Sequence, residues 1–310
     1  MKIGWIGTGI MGAPMAGHLL EAGYEVSVFT RTRSKAEPLL AHGAQWRDSP
    51  EEVAAEVEVL FTIVGYPHDV ESVYLGEASA GDGGGKDATG PDGTTHRPGV
   101  LSVMQPGTIA VDMTTSSPAL AMKIHAAAQG REISTLDAPV SGGDTGAREA
   151  RLAIMVGGER AAFDRVRPLF QVMGSTVKLM GEAGSGQHTK MANQILIAGT
   201  IFGTVESLIY AVRAGLDPTE VIGVIGTGAA GSFQINNLGP RIAAGDLEPG
   251  FMIKHYLKDL GIAIDECRRL GLGLPNLALA ESFYRAAVAQ GLADKGHHAL
   301  HAVVSAMNGM

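Results

Sequence analysis

The first thirty residues constrain the fold more than any other part of the chain. Residues 2–6 are an apolar run of strand length, followed at once by Gly7-Thr8-Gly9-Ile10-Met11-Gly12. Met15, Leu19 and Leu20 then recur at helical spacing, Gly23 closes the helix, and residues 25–29 form a second apolar run. Strand, helix and strand in so short a span make a βαβ unit, because a parallel return requires a crossover. The glycine spacing means little alone, but between a strand and a helix it has a mechanism. Gly7 permits the tight turn, Gly9 lets backbone approach a pyrophosphate, and Gly12 lets the helix pack close on the strand. The unpaired N–H groups at the helix start then face phosphate charge. A turn without a ligand is the alternative reading.

The end of the second strand bears on the choice of dinucleotide. Sites for NAD place a carboxylate about 20 residues after the glycines, to bind the ribose 2′-hydroxyl. Here the residues are Thr30-Arg31-Thr32-Arg33, with no carboxylate. A guanidinium pairs with a 2′-phosphate and stacks on adenine, so NADP(H) is favoured, with NAD(H) possible. Two solvated arginines in a turn remain the plain alternative, more so for Arg33.

The alternation continues along the chain. Ser49-Pro50-Glu51-Glu52 is a helix start with Ser as cap, Pro at the first position and Glu52 placed for a capping box. Strand-like runs cover residues 59–64, 108–112, 132–137, 152–156 and 176–179, and a helix opens at Ser117-Pro118 and ends near Gly130. Residues 76–99 break the pattern with eight glycines in 24 residues and almost nothing apolar, which reads as an exposed, mobile loop. Beyond Gly184 strand signals stop. Helical patterns follow at 187–213, with Gly215 beyond the end, and at 218–225, 253–270 and 277–290. The expected architecture is an α/β domain over residues 1–183, with the glycine-rich insertion at 76–99, and an all-helical domain over 184–310. One long helix joins them.

Composition excludes several classes. With 310 residues, about two domains are expected. A net charge of −8 argues against nucleic-acid binding, which needs a basic surface. Cys267 is the single cysteine, so an intramolecular disulfide and a cysteine-based metal cluster are excluded, and it reads as a small helix-packing residue. No run reaches 18 uninterrupted apolar residues, so no membrane span is expected. The N-terminal apolar run is broken by glycines and enters a patterned helix, so it does not read as a signal peptide, and the cytoplasm is the default location.

Three further groups of residues bear chemistry. Asp137-Ala138-Pro139-Val140-Ser141-Gly142-Gly143 closes a strand run, where α/β sheets place ligands. The Ser141 hydroxyl and the unobstructed N–H groups of Gly142 and Gly143 can hold a small carboxylate, though a structural loop fits equally. On the long helix Lys190, Asn193, Gln194 and Ile197 fall at i, i+3, i+4 and i+7 and share a face. A lysine with no carboxylate one turn away is odd for a solvated face, and desolvation beside a cofactor would suit it to proton transfer. Lys258-Asp259 on a later helix reads most simply as an exposed charge pair. His297, His298 and His301 read as a solvated helix face rather than a metal site.

Taken together these residues resemble the β-hydroxyacid dehydrogenase family, which includes 3-hydroxyisobutyrate dehydrogenases, tartronate semialdehyde reductases and glyoxylate/succinic semialdehyde reductases. Ile6-Gly7-x-Gly9-x-Met11-Gly12-x-Pro14-Met15-Ala16 is similar to its cofactor signature, and residues 137–143 to its substrate-carboxylate loop. Gly184-x-Gly186-Gln187-x-x-Lys190-x-x-Asn193 is similar to its catalytic helix, and Lys258-Asp259-Leu260 to a later motif. The four motifs run in order along nearly the whole chain. The resemblance implies a Rossmann-type α/β domain followed by an all-α domain.

It also implies an enzyme that interconverts a small aldehyde or keto acid, such as a semialdehyde or glyoxylate, with its hydroxy acid. Nicotinamide C4 would supply hydride, and Lys190 the proton. Thr115, Ser116, Ser141, Gly142, Gly143, Asn193 and Gln194 would contact substrate. Gly7, Gly9, Ile10, Met11, Gly12, Thr30, Arg31, Thr32, Val64, Gly65, Tyr66 and Lys258 would contact NADP(H), and no metal is implied. Lys258 would close over the cofactor from the helical domain, placing the active site in an interdomain cleft. Many family members carry Asn where this chain has Gln194, which bears on substrate size. The family's habit of associating through its helical domain implies a homodimer or homotetramer. Imine reductases resemble this fold but generally lack the lysine, so Lys190 argues against that activity. A non-catalytic NADP(H)-binding protein is the remaining alternative, against which stand Lys190, Asn193 and the Ser141-Gly142-Gly143 loop.

Overall fold

The alternation of side chains along the first strand organises the N-terminal half. Ile3 and Trp5 face one side of a sheet, while Gly4 and Ile6 face the other, as a two-residue period requires. The computed structural model describes residues 1–79, 88–89 and 95–310. The chain divides into two compact units, Met1–Lys190 and Met191–Met310, with the division inside the long helix.

The first unit begins β1 (Lys2–Ile6), α1 (Gly12–Glu21), β2 (Glu25–Phe29), α2 (Glu37–Ala41), β3 (Gln45–Trp46), α3 (Pro50–Ala54), β4 (Val59–Thr62) and α4 (Pro67–Leu75). Three short strands follow, β5 (Gly76–Ser79), β6 (Ala88–Thr89) and β7 (Thr95–Pro98). It continues through β8 (Ile109–Asp112), α5 (Pro118–Gln129), β9 (Ser134–Asp137), β10 (Val140–Ser141), α6 (Gly143–Arg148), β11 (Ala153–Gly158), α7 (Arg160–Met173) and β12 (Thr176–Gly181).

Strands β3-β2-β1-β4-β8-β9 lie side by side in that order and are parallel throughout. β11 then joins antiparallel to β9 and to β10, and β12 runs parallel to β11. Because the chain leaves β1 toward β2 and later returns to β4 on its other side, the order reverses there. Ligands of open α/β sheets bind outside the carboxyl ends of the strands at such a reversal.

Helices cover both faces. One core holds Ile3, Trp5, Met15, Leu19, Val59, Phe61 and Phe170; the other holds Ile6, Val53, Leu60, Val70, Tyr74 and Ile124. Trp5 stacks on Phe61 at 5.3 Å, and Phe61 meets Phe170 edge-on at 6.0 Å. Burying one such ring contributes roughly 2–3 kcal/mol. Ser49 caps α3 as its sequence implies, accepting the Glu52 N–H at 3.1 Å. The reciprocal half differs, since the Glu52 carboxylate accepts the N–H of Asp48 at 3.0 Å, one residue before the cap.

The reading of residues 76–99 as an irregular loop needs correction. Residues 80–87 and 90–94 lie outside the described residues, but the remainder forms an antiparallel sheet ordered β5-β7-β6. Antiparallel pairing draws on backbone bonds and needs no apolar pattern, so composition gave no sign of it. Gly76 and Gly99 make its root possible. A Cβ at Gly76 would lie 2.2 Å from the Arg97 carbonyl, and one at Gly99 2.3 Å from that of Tyr74.

Helix α8 (Ser185–Arg213) leads into the second unit, followed by α9 (Pro218–Ile225), α10 (Gly239–Ala243), α11 (Ile253–Leu270), α12 (Pro275–Ala289) and α13 (Leu300–Met307). By length and composition α8 could cross a bilayer, although polar residues interrupt its apolar runs. The fold uses this apolar sequence internally. Ala198, Ile201, Phe202, Val205 and Leu208 pack with Tyr256, Leu260, Cys267 and Tyr284 in the helical core. Cys267 is thus the buried packing residue expected.

The histidines contradict the solvated-face reading. His297 and His298 are 7% and 1% exposed, and the rings of Phe251, Tyr256 and His298 surround His297. Neither ring nitrogen of His297 has a hydrogen-bond partner, and burial holds its pKa down at about 3. Among the described residues no group of three or more His, Cys, Asp or Glu side chains is arranged to hold a metal.

Candidate active site

The glycine turn sits at the carboxyl end of β1, beside the strand-order reversal. Its three glycines have distinct tasks. Gly7 has φ +97°, and a Cβ there would lie 2.1 Å from the Ile63 carbonyl. A Cβ on Gly12 would lie 2.0 Å from the Gly7 carbonyl, so α1 rests directly on the turn. Around Gly9 nothing lies within 4 Å of an added Cβ, which leaves open space against its backbone. Among the described residues the hydroxyl of Thr8, 2% exposed, has no hydrogen-bond partner, and no side chain caps α1. Open space at Gly9, an orphaned buried hydroxyl and a bare helix start fit a dinucleotide phosphate.

Thr30, Arg31 and Thr32 follow β2, as the sequence implies. The arginines differ in use. Arg33 lies over the Trp46 ring at 5.0 Å and pairs with Glu37 at 3.8 Å. Arg31 is 79% exposed and donates from Nη1 to Asp69 Oδ1 at 3.0 Å. After β4 come Val64, whose N–H donates to Thr114 Oγ1 at 3.0 Å, then Gly65 and Tyr66, whose N–H donates to Asp69 Oδ2 at 3.0 Å. Ile10 and Met11 complete the turn before α1, with Ile10 62% exposed.

A buried polar network anchors the start of α8. The Asp137 carboxylate, at the end of β9, accepts the Gly184 N–H at 2.7 Å and the Gln187 N–H at 2.8 Å. Burial drives its pKa up to about 6, and these backbone bonds oppose the rise. Gln187, fully buried, donates from Nε2 to the Thr114 carbonyl at 2.7 Å and accepts the Ser116 N–H on Oε1 at 3.0 Å. Thr115 lies between those anchored residues. Ser116 is 1% exposed, and its Oγ has no hydrogen-bond partner.

This network explains the glycines before the lysine. Gly184 has φ +90°, and a Cβ on Gly186 would lie 2.4 Å from the carbonyls of both Asp137 and Met155. The backbone of α8 therefore sits against β9 and β11 where no other residue fits. One turn beyond Gln187, Lys190 is 7% exposed and donates from Nζ to the Val140 carbonyl at 2.8 Å. Val140 adjoins Ser141, Gly142 and Gly143, the last two exposed with φ +135° and +64°. The structure thus brings together the lysine and the candidate carboxylate loop, as the sequence analysis expected.

Within the helical unit Asn193, Gln194, Asp259 and Lys258 form a second chain of contacts. Asn193 Nδ2 donates to Gln194 Oε1 at 2.8 Å, and Gln194 Nε2 donates to Asp259 Oδ2 at 2.6 Å. Asp259 Oδ1 lies 3.1 Å from Lys258 Nζ. The exposed-pair reading of Lys258-Asp259 fails, because the side chains are 12% and 3% exposed. Gln194, expected to contact substrate, is 1% exposed and engages Asn193 and Asp259 through its side-chain amide.

In these networks Asp69 and Thr114 escaped sequence reasoning, as did the bonding roles of Gln187 and Asp259. Gln187 could have been found, since it lies three residues before Lys190 on the same helix face. Asp69 could not, because it meets Arg31 only through the fold.

Two family models match the chain. That for the NAD binding domain of 6-phosphogluconate dehydrogenase covers residues 2–181, and that for the NAD-binding of NADP-dependent 3-hydroxyisobutyrate dehydrogenase covers 184–304. A probable 3-hydroxyisobutyrate dehydrogenase-like 1, mitochondrial, of Arabidopsis thaliana is 48% identical, over 99% of this chain and 86% of that one. The 2-hydroxy-3-oxopropionate reductase of Escherichia coli is 36% identical, over 97% and 96%. The solved structure of Mycobacterium tuberculosis 3-hydroxyisobutyrate dehydrogenase with L-serine matches with a TM-score of 0.83 at 30% identity, covering 98% of each chain. With matching models along nearly its whole length and relatives this similar, the chain belongs to the β-hydroxyacid dehydrogenase family, as an NAD(P)-dependent enzyme.

Proposed function

We propose that the protein reduces a small carboxylate-bearing aldehyde or keto acid to its hydroxy acid with a preference for NADPH, Lys190 acting as the proton donor. Semialdehydes and glyoxylate are the substrates of first choice, and the named activity of the 2-hydroxy-3-oxopropionate reductase relative supports that class. One observation carries the reading. A lysine 7% exposed is held at 2.8 Å from the Val140 carbonyl, beside a loop of one serine and two exposed glycines.

The bound nicotinamide would supply the hydride. Its phosphates would lie against Gly9, and Arg31 would face the 2′-phosphate. Ser141, Gly142 and Gly143 would orient the substrate carboxylate, with Thr115 and Ser116 alongside. Lys190 then delivers its proton to the carbonyl oxygen, and in the reverse direction the neutral amine takes the proton from the alcohol. Asn193, one turn beyond Lys190 on α8 and steadied by Gln194, would hydrogen-bond the reacting group. The proposed assembly is a homodimer or homotetramer.

The test is initial rates with succinic semialdehyde and glyoxylate, using NADPH and NADH, for the wild type and Lys190→Met. The variant should lose about 10²- to 10⁴-fold in kcat while binding NADP⁺ normally. A variant within about threefold of wild type would remove Lys190 from the proton transfer.

A further inference from the structure

We infer that Asp69 is a specificity-determining residue that weakens the site's preference for a 2′-phosphate by sharing Arg31, so that the protein binds NAD(H) as well as NADP(H). The inference rests on the proposed placement of the adenosine ribose beside Thr30, Arg31 and Thr32. Residues 30–33 contain no carboxylate, but the fold supplies one from the first turn of α4, with Asp69 Oδ1 3.0 Å from Arg31 Nη1.

The two partners differ in freedom. Asp69 is only 12% exposed, and its Oδ2 accepts the Tyr66 N–H at 3.0 Å. Gly65 packs so close that a Cβ there would lie 3.2 Å from Asp69 Oδ2. His68 Nε2 lies 3.8 Å from Oδ1, and the His68 ring stacks on Tyr66 at 5.4 Å. Arg31, by contrast, is 79% exposed. The carboxylate is therefore the fixed member of the pair, and the guanidinium is the member that adjusts.

A guanidinium offers five N–H donors, so Arg31 can keep Asp69 while engaging a second anion. A 2′-phosphate held that way lies one guanidinium width from a fixed negative charge, and gains less than it would from an unshared arginine. A ribose 2′-hydroxyl carries no charge and escapes that repulsion. Arg33 does not compensate, because Trp46 and Glu37 engage it.

The experiment is calorimetric titration of NADP⁺ and NAD⁺ into the wild type, Asp69→Asn and Arg31→Ala, which needs no turnover. Asp69→Asn removes the charge and keeps an acceptor. It should tighten NADP⁺ binding about 3- to 10-fold, leave NAD⁺ within about twofold, and show a smaller gain when salt rises from ~50 to ~500 mM. Asp69→Ser serves as a second charge-free variant should the amide disturb the loop. Arg31→Ala should weaken NADP⁺ alone. If Arg31→Ala does so while both Asp69 variants leave NADP⁺ unchanged or weaker, the role of Asp69 is overturned and the ribose placement stands. If Arg31→Ala leaves NADP⁺ unchanged, the placement fails and the inference with it.

Discussion

Asp137→Asn separates the energetic role of a buried carboxylate from its geometric one. In the folded protein the Asp137 pKa is raised by burial from 3.8 to about 6. Between those values the folded chain holds the proton that the unfolded chain has released. Stability therefore falls as pH rises through this window, by about 2 kcal/mol between pH ~4 and pH ~6 and by about 3 kcal/mol over the whole titration. Asparagine removes this term but accepts only one of the two N–H groups of Gly184 and Gln187. Its amide nitrogen then opposes the other donor, at a cost of about 1–3 kcal/mol that does not vary with pH. The two effects nearly offset each other near neutrality, so the pH dependence of the difference is the diagnostic quantity. Urea denaturation of both proteins at several pH values should show the wild type gaining about 2.4 kcal/mol on the variant between pH ~7 and pH ~4. A difference constant within about 0.5 kcal/mol would refute the reasoning, since it would mean that Asp137 ionises in the fold as it does in water.

Two other perturbations test separate parts of the structure. Gly12→Ala forces a Cβ to within 2.0 Å of the Gly7 carbonyl, and chemical denaturation should register a loss of about 2–3 kcal/mol. His297→Phe tests the unpartnered imidazole, whose folded pKa of about 3 lies below its ordinary value of 6.5. The unfolded chain binds the extra proton there, so wild-type stability is lost as pH falls below 6.5. The phenylalanine variant should therefore gain about 2 kcal/mol on the wild type between pH ~7 and pH ~5. Parallel denaturation curves with no such divergence would show that His297 titrates freely.

The sequence was most legible where chemistry is local. The β1–α1 turn, the Ser49 and Ser117 caps and the apolar strands could all be read because each depends on neighbours within a few residues. The lysine and the residues 137–143 loop were also visible, each as a short motif. Contacts that cross long stretches of chain were not. Asp69 reaches Arg31 across 38 residues, and Gln194 reaches Asp259 across 65. Nothing in either neighbourhood announces its partner. Burial was the other blind spot. His297, His298 and Lys258 are polar residues enclosed by packing that a linear pattern cannot show, and polarity alone led each to be read as solvated.

The three glycines of the opening turn do not report the same thing about a chain that carries them. Gly7 and Gly12 are dictated by backbone atoms of the protein itself, so a descendant that had lost every ligand would still need both in order to fold. At Gly9 an added Cβ would meet nothing within 4 Å among the described residues, so no packing demands a glycine there and only a visiting molecule can hold it against drift. In a lineage abandoning its cofactor, the middle glycine should be the first to change, while the outer two persist as the imprint of a use no longer made.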